Sequence, residues 1–116
     1  MNQDIILEKG KEYAHLVYKI SAKFPKEEQF GLTSQLRRAA VSVPLNVVEG
    51  YARQSRKSES QFLTIAYGSL KESQFILQFA VDEKYIAPED IIETLSVGEE
   101  VAKLIWAKTK TLRAHE

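Results

Sequence analysis

The sequence contains no cysteine at all. That excludes disulfide staples and thiolate metal sites, and it suits a reducing compartment. Glycine and proline are scarce, five and three residues, so few turns punctuate the chain. No apolar run approaches the roughly 20 residues that a bilayer-spanning helix requires. The start, Met1-Asn2-Gln3-Asp4, has neither the basic residues nor the apolar run of a signal peptide. A cytoplasmic location is the expectation. Charge of one sign is missing too: sixteen basic and sixteen acidic residues cancel. The net charge therefore names no polyanionic partner, although the distribution of charge is a separate matter.

What is present is helical periodicity. The chain has 116 residues, enough for one domain, and 44% are apolar, enough for a core. A first helix is expected from about Asp4 to Phe24. Ile6, Gly10, Tyr13, Val17, Ile20 and Phe24 step by four and three along one face. Pro25 ends it, because a residue before proline avoids helical angles. A connector with Gly31 follows. Thr33 or Ser34 caps a second helix reaching about Gln54, with Leu36, Ala40, Val43, Val47 and Tyr51 facing inward. Pro44 lies inside it and predicts a kink.

Ser58 followed by Gln61 has the spacing of a capping box. It predicts a third helix from about Ser58 to Lys84. Its apolar positions spread over some two-thirds of the circumference, leaving a solvated strip around Lys71, Gln78 and Asp82. One stripe would serve an intramolecular core. The wider coverage predicts a central helix or a second face buried at a subunit contact. Ala87-Pro88-Glu89-Asp90 starts a fourth helix reaching Arg113, with Ile91, Leu95, Gly98, Ala102, Ile105 and Leu112 as its seam. Four helices of such length with short connections predict an all-α, up-down-up-down four-helix bundle, one domain over residues 1–116.

The second helix carries a polar stripe among its apolar flanks: Arg38, Ser42, Asn46, Glu49 and Arg53. Ser69, Glu72 and Ser73 do the same on the third. A charge-paired network fixing helix register is the favoured reading, with Glu72 partly buried against an arginine of the second helix. A catalytic site is disfavoured, because two carboxylates without a histidine, thiol or nucleophile beside them carry little chemistry. Glu12 and His15 have the spacing of one half of a di-iron motif, but no second copy exists. No catalytic residue, metal ligand or cofactor is assigned.

In the expected topology one pole gathers Arg53, Arg56, Lys57, Lys103, Lys108, Lys110 and Arg113. The stretch from Lys103 to Arg113 contains no acid. Asp82, Glu83, Glu89, Asp90 and Glu93 lie at the other pole. The basic pole suits nucleic-acid phosphates. It equally suits the negative end of the fourth helix's dipole, and charge alone leaves both readings open. Tyr51 and Trp106 have the rings for base stacking, though such residues more often pack.

Leu36-Arg37-Arg38-Ala39-Ala40-Val41-Ser42-Val43-Pro44, then Asn46-Val47-Val48-Glu49-Gly50, Arg53, Ser58-Glu59 and Phe62 through Glu72 together form a specific pattern. It resembles the four-helix-bundle proteins encoded in intervening sequences of bacterial 23S rRNA genes. It is also similar to the accessory protein of diversity-generating retroelements, a basic barrel that binds nucleic acid and a reverse transcriptase. The resemblance implies a small bacterial bundle without enzymatic activity that assembles into a homo-oligomeric ring, with a pentamer as first choice. It implies RNA or an RNA-associated protein as the partner. A structural or protein-interaction ring without nucleic acid is the alternative.

Overall fold

A computed structural model describes residues 2–115. Four helices make up the molecule: α1 (Asn2–Ser21), α2 (Leu32–Tyr51), α3 (Arg56–Asp82) and α4 (Ile92–Ala114). Short 3-10 turns at Lys26–Glu28 and Pro88–Ile91 precede α2 and α4.

The expected stripe of α1 is buried along its length, with Tyr13 and Val17 wholly enclosed. The helix itself stops at Ser21, before Phe24, which remains in the core beyond its end. Helix α2 runs unbroken through Pro44, so the proline does not divide it. It begins at Leu32 rather than after a Thr33 or Ser34 cap. The Glu28 carboxylate provides the cap instead, accepting from the Leu32 N–H at 3.0 Å. The N-cap of α3 is Ser55, not Ser58. Its hydroxyl oxygen accepts the Ser58 N–H at 3.0 Å, so Ser58 is the recipient of the cap. At the other end Lys84 takes a left-handed conformation with φ 64°. The Tyr85 N–H then reaches back to the Ala80 carbonyl at 2.9 Å, closing the helix with the backbone bond of a Schellman turn. Before α4, Asp90 accepts the Ala87 N–H at 2.9 Å.

Contacts between neighbours run in opposite sequence order. Ser42 meets Ser69, Lys71 meets Glu99, Arg113 meets Thr64, and Lys23 meets Asp90 while Lys9 meets Glu100. Arg37 donates from Nε to Ser21 Oγ at 2.7 Å and lies over the Tyr18 ring, joining α2 to the end of α1. Each helix is thus antiparallel to the next, and α4 packs back on α1. The result is a rod with extents of 46 × 25 × 19 Å. Its core is a single cluster running from Ile6 and Leu112 at one end to Phe24, Ile86 and Ile91 at the other.

One polar pair lies within that core. Tyr13 and Ser73 are fully buried with their hydroxyls 2.6 Å apart. Ser73 donates its proton to the Leu70 carbonyl at 2.7 Å, which makes Tyr13 the donor to Ser73. Close approach at this level depends on Gly98. A Cβ there would stand 2.9 Å from the Tyr13 ring and 2.6 Å from Gln74 Nε2, both too near.

Candidate nucleic-acid interface and polar network

The polar stripe resolves into separate parts. Ser42 and Ser69 share a 2.8 Å hydrogen bond across α2 and α3. Asn46 donates from Nδ2 to both the Ser42 carbonyl and the Ser42 hydroxyl, at 2.8 and 2.9 Å. That three-residue cluster is half-buried and spans the helix pair. Glu49, in the last turn of α2, and Arg53, just past its end, form their own exposed pair at 2.9 Å. Glu72 differs from expectation. It is exposed on α3 and no arginine of α2 pairs with it. It sits exposed at the rim of the α2–α3 furrow and forms no ion pair there. Arg38 is exposed as well. Arg38, Ser42, Ser69 and Glu72 line an open furrow of about 550 Å³ between α2 and α3, closed at one end by Phe30. Its lining offers no histidine or thiol to act as base or nucleophile.

The seven candidate cations divide in the same way. Arg53 is compensated by Glu49, and its guanidinium lies 4.5 Å from the centre of the Phe62 ring. Arg56 and Lys57 stand exposed in the first turn of α3, with no ion pair among the described residues. Arg113, in the last turn of α4, donates from Nη2 to Thr64 Oγ1 at 3.0 Å. Lys108 is half-buried, and Lys110 is exposed. Lys103 stands apart from this end of the rod. Ten residues before Arg113 at 1.5 Å each, it lies about 15 Å along α4. It belongs to the flank of the bundle, beside Tyr67, Lys71, Glu99 and Trp106. At the acidic end, Asp90 pairs with Lys23 at 3.0 Å. The backbone N–H of Ala87, and then Lys23, hold its carboxyl below the usual range.

The two aromatic candidates also part. Tyr51 is half-buried and packs against the core. Trp106 is 56% exposed and leans on Tyr67, ring centres 6.1 Å apart at 43°. Glu12 and His15 are both exposed on α1, and Glu12 is engaged with Lys9 at 3.5 Å. No group of three acidic or histidine side chains converges among the described residues.

The broad apolar coverage expected of α3 leaves apolar residues outside the core, and Phe30 and α2 add others. Phe30 is 91% exposed and Phe75 70%. Leu45 and Val48 on α2, and Ile65, Phe75 and Phe79 on α3, are all uncovered. Phe75 and Phe79 stack on one another, centres 6.3 Å apart. The broad apolar coverage of α3 thus splits into two faces. Leu63, Ala66, Leu70, Leu77 and Ala80 enter the core, while Ile65, Phe75 and Phe79 on the opposite face stay exposed.

These features define a four-helix, all-α protein with a small polar seam, a cation-bearing end and an uncovered apolar face. Residues 2–107 match the family described as 23S rRNA-intervening sequence protein, and the chain belongs to that family. A crystal structure of a protein of unknown function from the S23 ribosomal protein family of Bacteroides thetaiotaomicron has the same fold. The TM-score is 0.86 at 23% identity, over 95% of this chain and 99% of that one. No functionally curated protein matches. No helix among the described residues is long and apolar enough to cross a membrane.

Proposed function

We propose that this chain is a non-catalytic helical scaffold that assembles with copies of itself, in a pentamer by first choice, and contacts RNA or an RNA-bound protein. The contact uses cations at the α2–α3 turn and along α4. The observation that carries the RNA half is uncompensated charge: Arg56, Lys57, Lys103, Lys108 and Lys110 have no ion pair among the described residues. Repetition around a ring would multiply a weak contact on one face. A cytoplasmic location goes with this reading, and a chain without cysteine suits it.

Filter binding of structured and single-stranded RNA at low salt provides the test. Retention is expected to fall steeply as salt rises, because phosphate contacts release counterions. Charge reversal at Arg56 and Lys57 should weaken retention while leaving the oligomer intact, since both residues are exposed and outside the core. Absence of retention by the parent, or equal retention by the reversed variant, would end the RNA reading. The protein-only ring is then the reading that survives. The exposed apolar residues Leu45, Val48, Ile65, Phe75 and Phe79 favour that second reading independently of any RNA.

A further inference from the structure

Trp106 is the chain's only tryptophan, and it stands where a buried ring is not needed. More than half of it is in water, yet it is braced from one side by Tyr67 on α3. Lys103, Trp106, Lys110 and Arg113 follow one another at intervals of three, four and three, which puts them on one face of α4. Lys103 and Lys110 therefore flank the indole about one helical turn to each side, roughly 5–6 Å along the axis. Arg113 is held in place by its bond to Thr64. Its other N–H donors have no hydrogen-bond partner among the described residues. Between them, Thr64, Tyr67, Ile105 and Trp106 line a small hollow of about 70 Å³. Glu99, beside this face, is already engaged: Lys71 approaches it at 3.6 Å while lying 5.4 Å from the Tyr67 ring centre.

We propose that the Trp106–Tyr67 ridge is a stacking platform for an unpaired base of single-stranded RNA, with Lys103, Lys110 and Arg113 holding the adjoining phosphates. This rests on the RNA reading above and gives it a site on the α3–α4 flank. Charge decides between occupants. Leu45, Val48, Ile65 and Phe75, exposed on α2 and α3, offer the aliphatic and phenyl surface that a protein contact uses. The Trp106 face interleaves its aromatic with cations at helical spacing, which matches the alternation of base and phosphate in a strand. Stacking needs a base that is not already stacked on its neighbours, so a duplex is a poor occupant.

Because Trp106 is unique, its intrinsic fluorescence reports on the site directly. The oligomeric protein is titrated at low salt with a single-stranded oligouridylate of about twelve nucleotides, within the usual site sizes. A duplex RNA of the same length is the comparison. The expected result is quenching by the single strand and little change with the duplex. In filter binding, Trp106→Leu should weaken retention of the single strand roughly tenfold, in keeping with the stacking energy of one base. Trp106→Phe should recover part of it. Retention without quenching, together with a Trp106→Leu variant that binds as the parent does, overturns the platform and leaves the RNA reading standing. A parent that retains no RNA overturns both. A Trp106→Leu variant that folds, as judged by its melting curve, but falls to a smaller assembly makes Trp106 a subunit contact and also overturns the platform. The fluorescence arm uses the unmodified protein and does not depend on any variant folding.

Discussion

Tyr13 and Ser73 form the most constrained polar contact in the molecule. Burial pushes the Tyr13 hydroxyl up to about 12 from its ordinary 10.0. The folded state therefore keeps this proton after the unfolded chain has released its own. A group whose folded value is raised contributes stability that is complete below the unfolded value. That contribution declines as pH rises from about 10 toward 12. In thermal melts across that window, Tyr13→Phe should lose part of the alkaline decline. At neutral pH it should cost about 1 kcal/mol for the lost hydrogen bond. An alkaline limb identical to the parent's would show that Tyr13 ionises freely in the fold. Glu72 is the opposite case. It is exposed and forms no ion pair among the described residues, so Glu72→Ala should leave the melting temperature unchanged within error. A loss of several degrees would restore the idea that this carboxylate fixes helix register.

The ends of the helices show where local chemistry was readable and where it was not. Ser55 caps α3 from a position that the capping-box spacing of Ser58 and Gln61 had hidden. Both serines precede the same apolar run, and spacing alone does not choose between them. The Lys84 turn is an element-level weakness. A side chain with a Cβ in the left-handed region is strained, and glycine is the usual occupant. Lys84→Gly should raise the stability of the α3 terminus by about 0.5–1 kcal/mol, after allowing for the extra freedom glycine has in the unfolded chain. A denaturant midpoint at or below the parent's would mean that the Lys84 side chain contributes more than its backbone costs.

Across the whole rod, the outward faces of α2 and α3 pose the largest energetic question. Phe75 and Phe79 stack on each other in water, and Leu45, Val48 and Ile65 stand beside the same pair of helices. Exposed apolar residues on this scale mark contact surfaces. Mass measurement in solution should give a multiple of the chain mass. Phe75→Glu, which adds charge at a 70% exposed site, should shift the distribution toward the monomer without changing helical content. A parent that is monomeric at micromolar concentration would remove this argument. The two proposed contacts use different surfaces, apolar on α2 and α3 and cationic on α3 and α4. Mutations at one should leave the other's readout intact.

Helix number, approximate helix limits and the inward stripes of all four helices were legible in the chain. They follow from apolar spacing near the helical period, and each is a local property. The broad apolar coverage of α3 was equally plain, because it is counted around a single helix. Pairing between helices was not legible. Asn46, Ser42 and Ser69 join in hydrogen bonds across α2 and α3, while Glu72 stays solvated at the rim of the same furrow. Nor could spacing divide the cations. Arg53 is compensated by Glu49, four residues earlier, while Arg56 and Lys57 have no ion pair among the described residues. The lateral position of Lys103, and the brace that Tyr67 gives Trp106, depend on how α3 and α4 are set side by side. Periodicity fixes which face of a helix is apolar. Only packing fixes which neighbour that face meets, and so which charged and aromatic side chains share a surface.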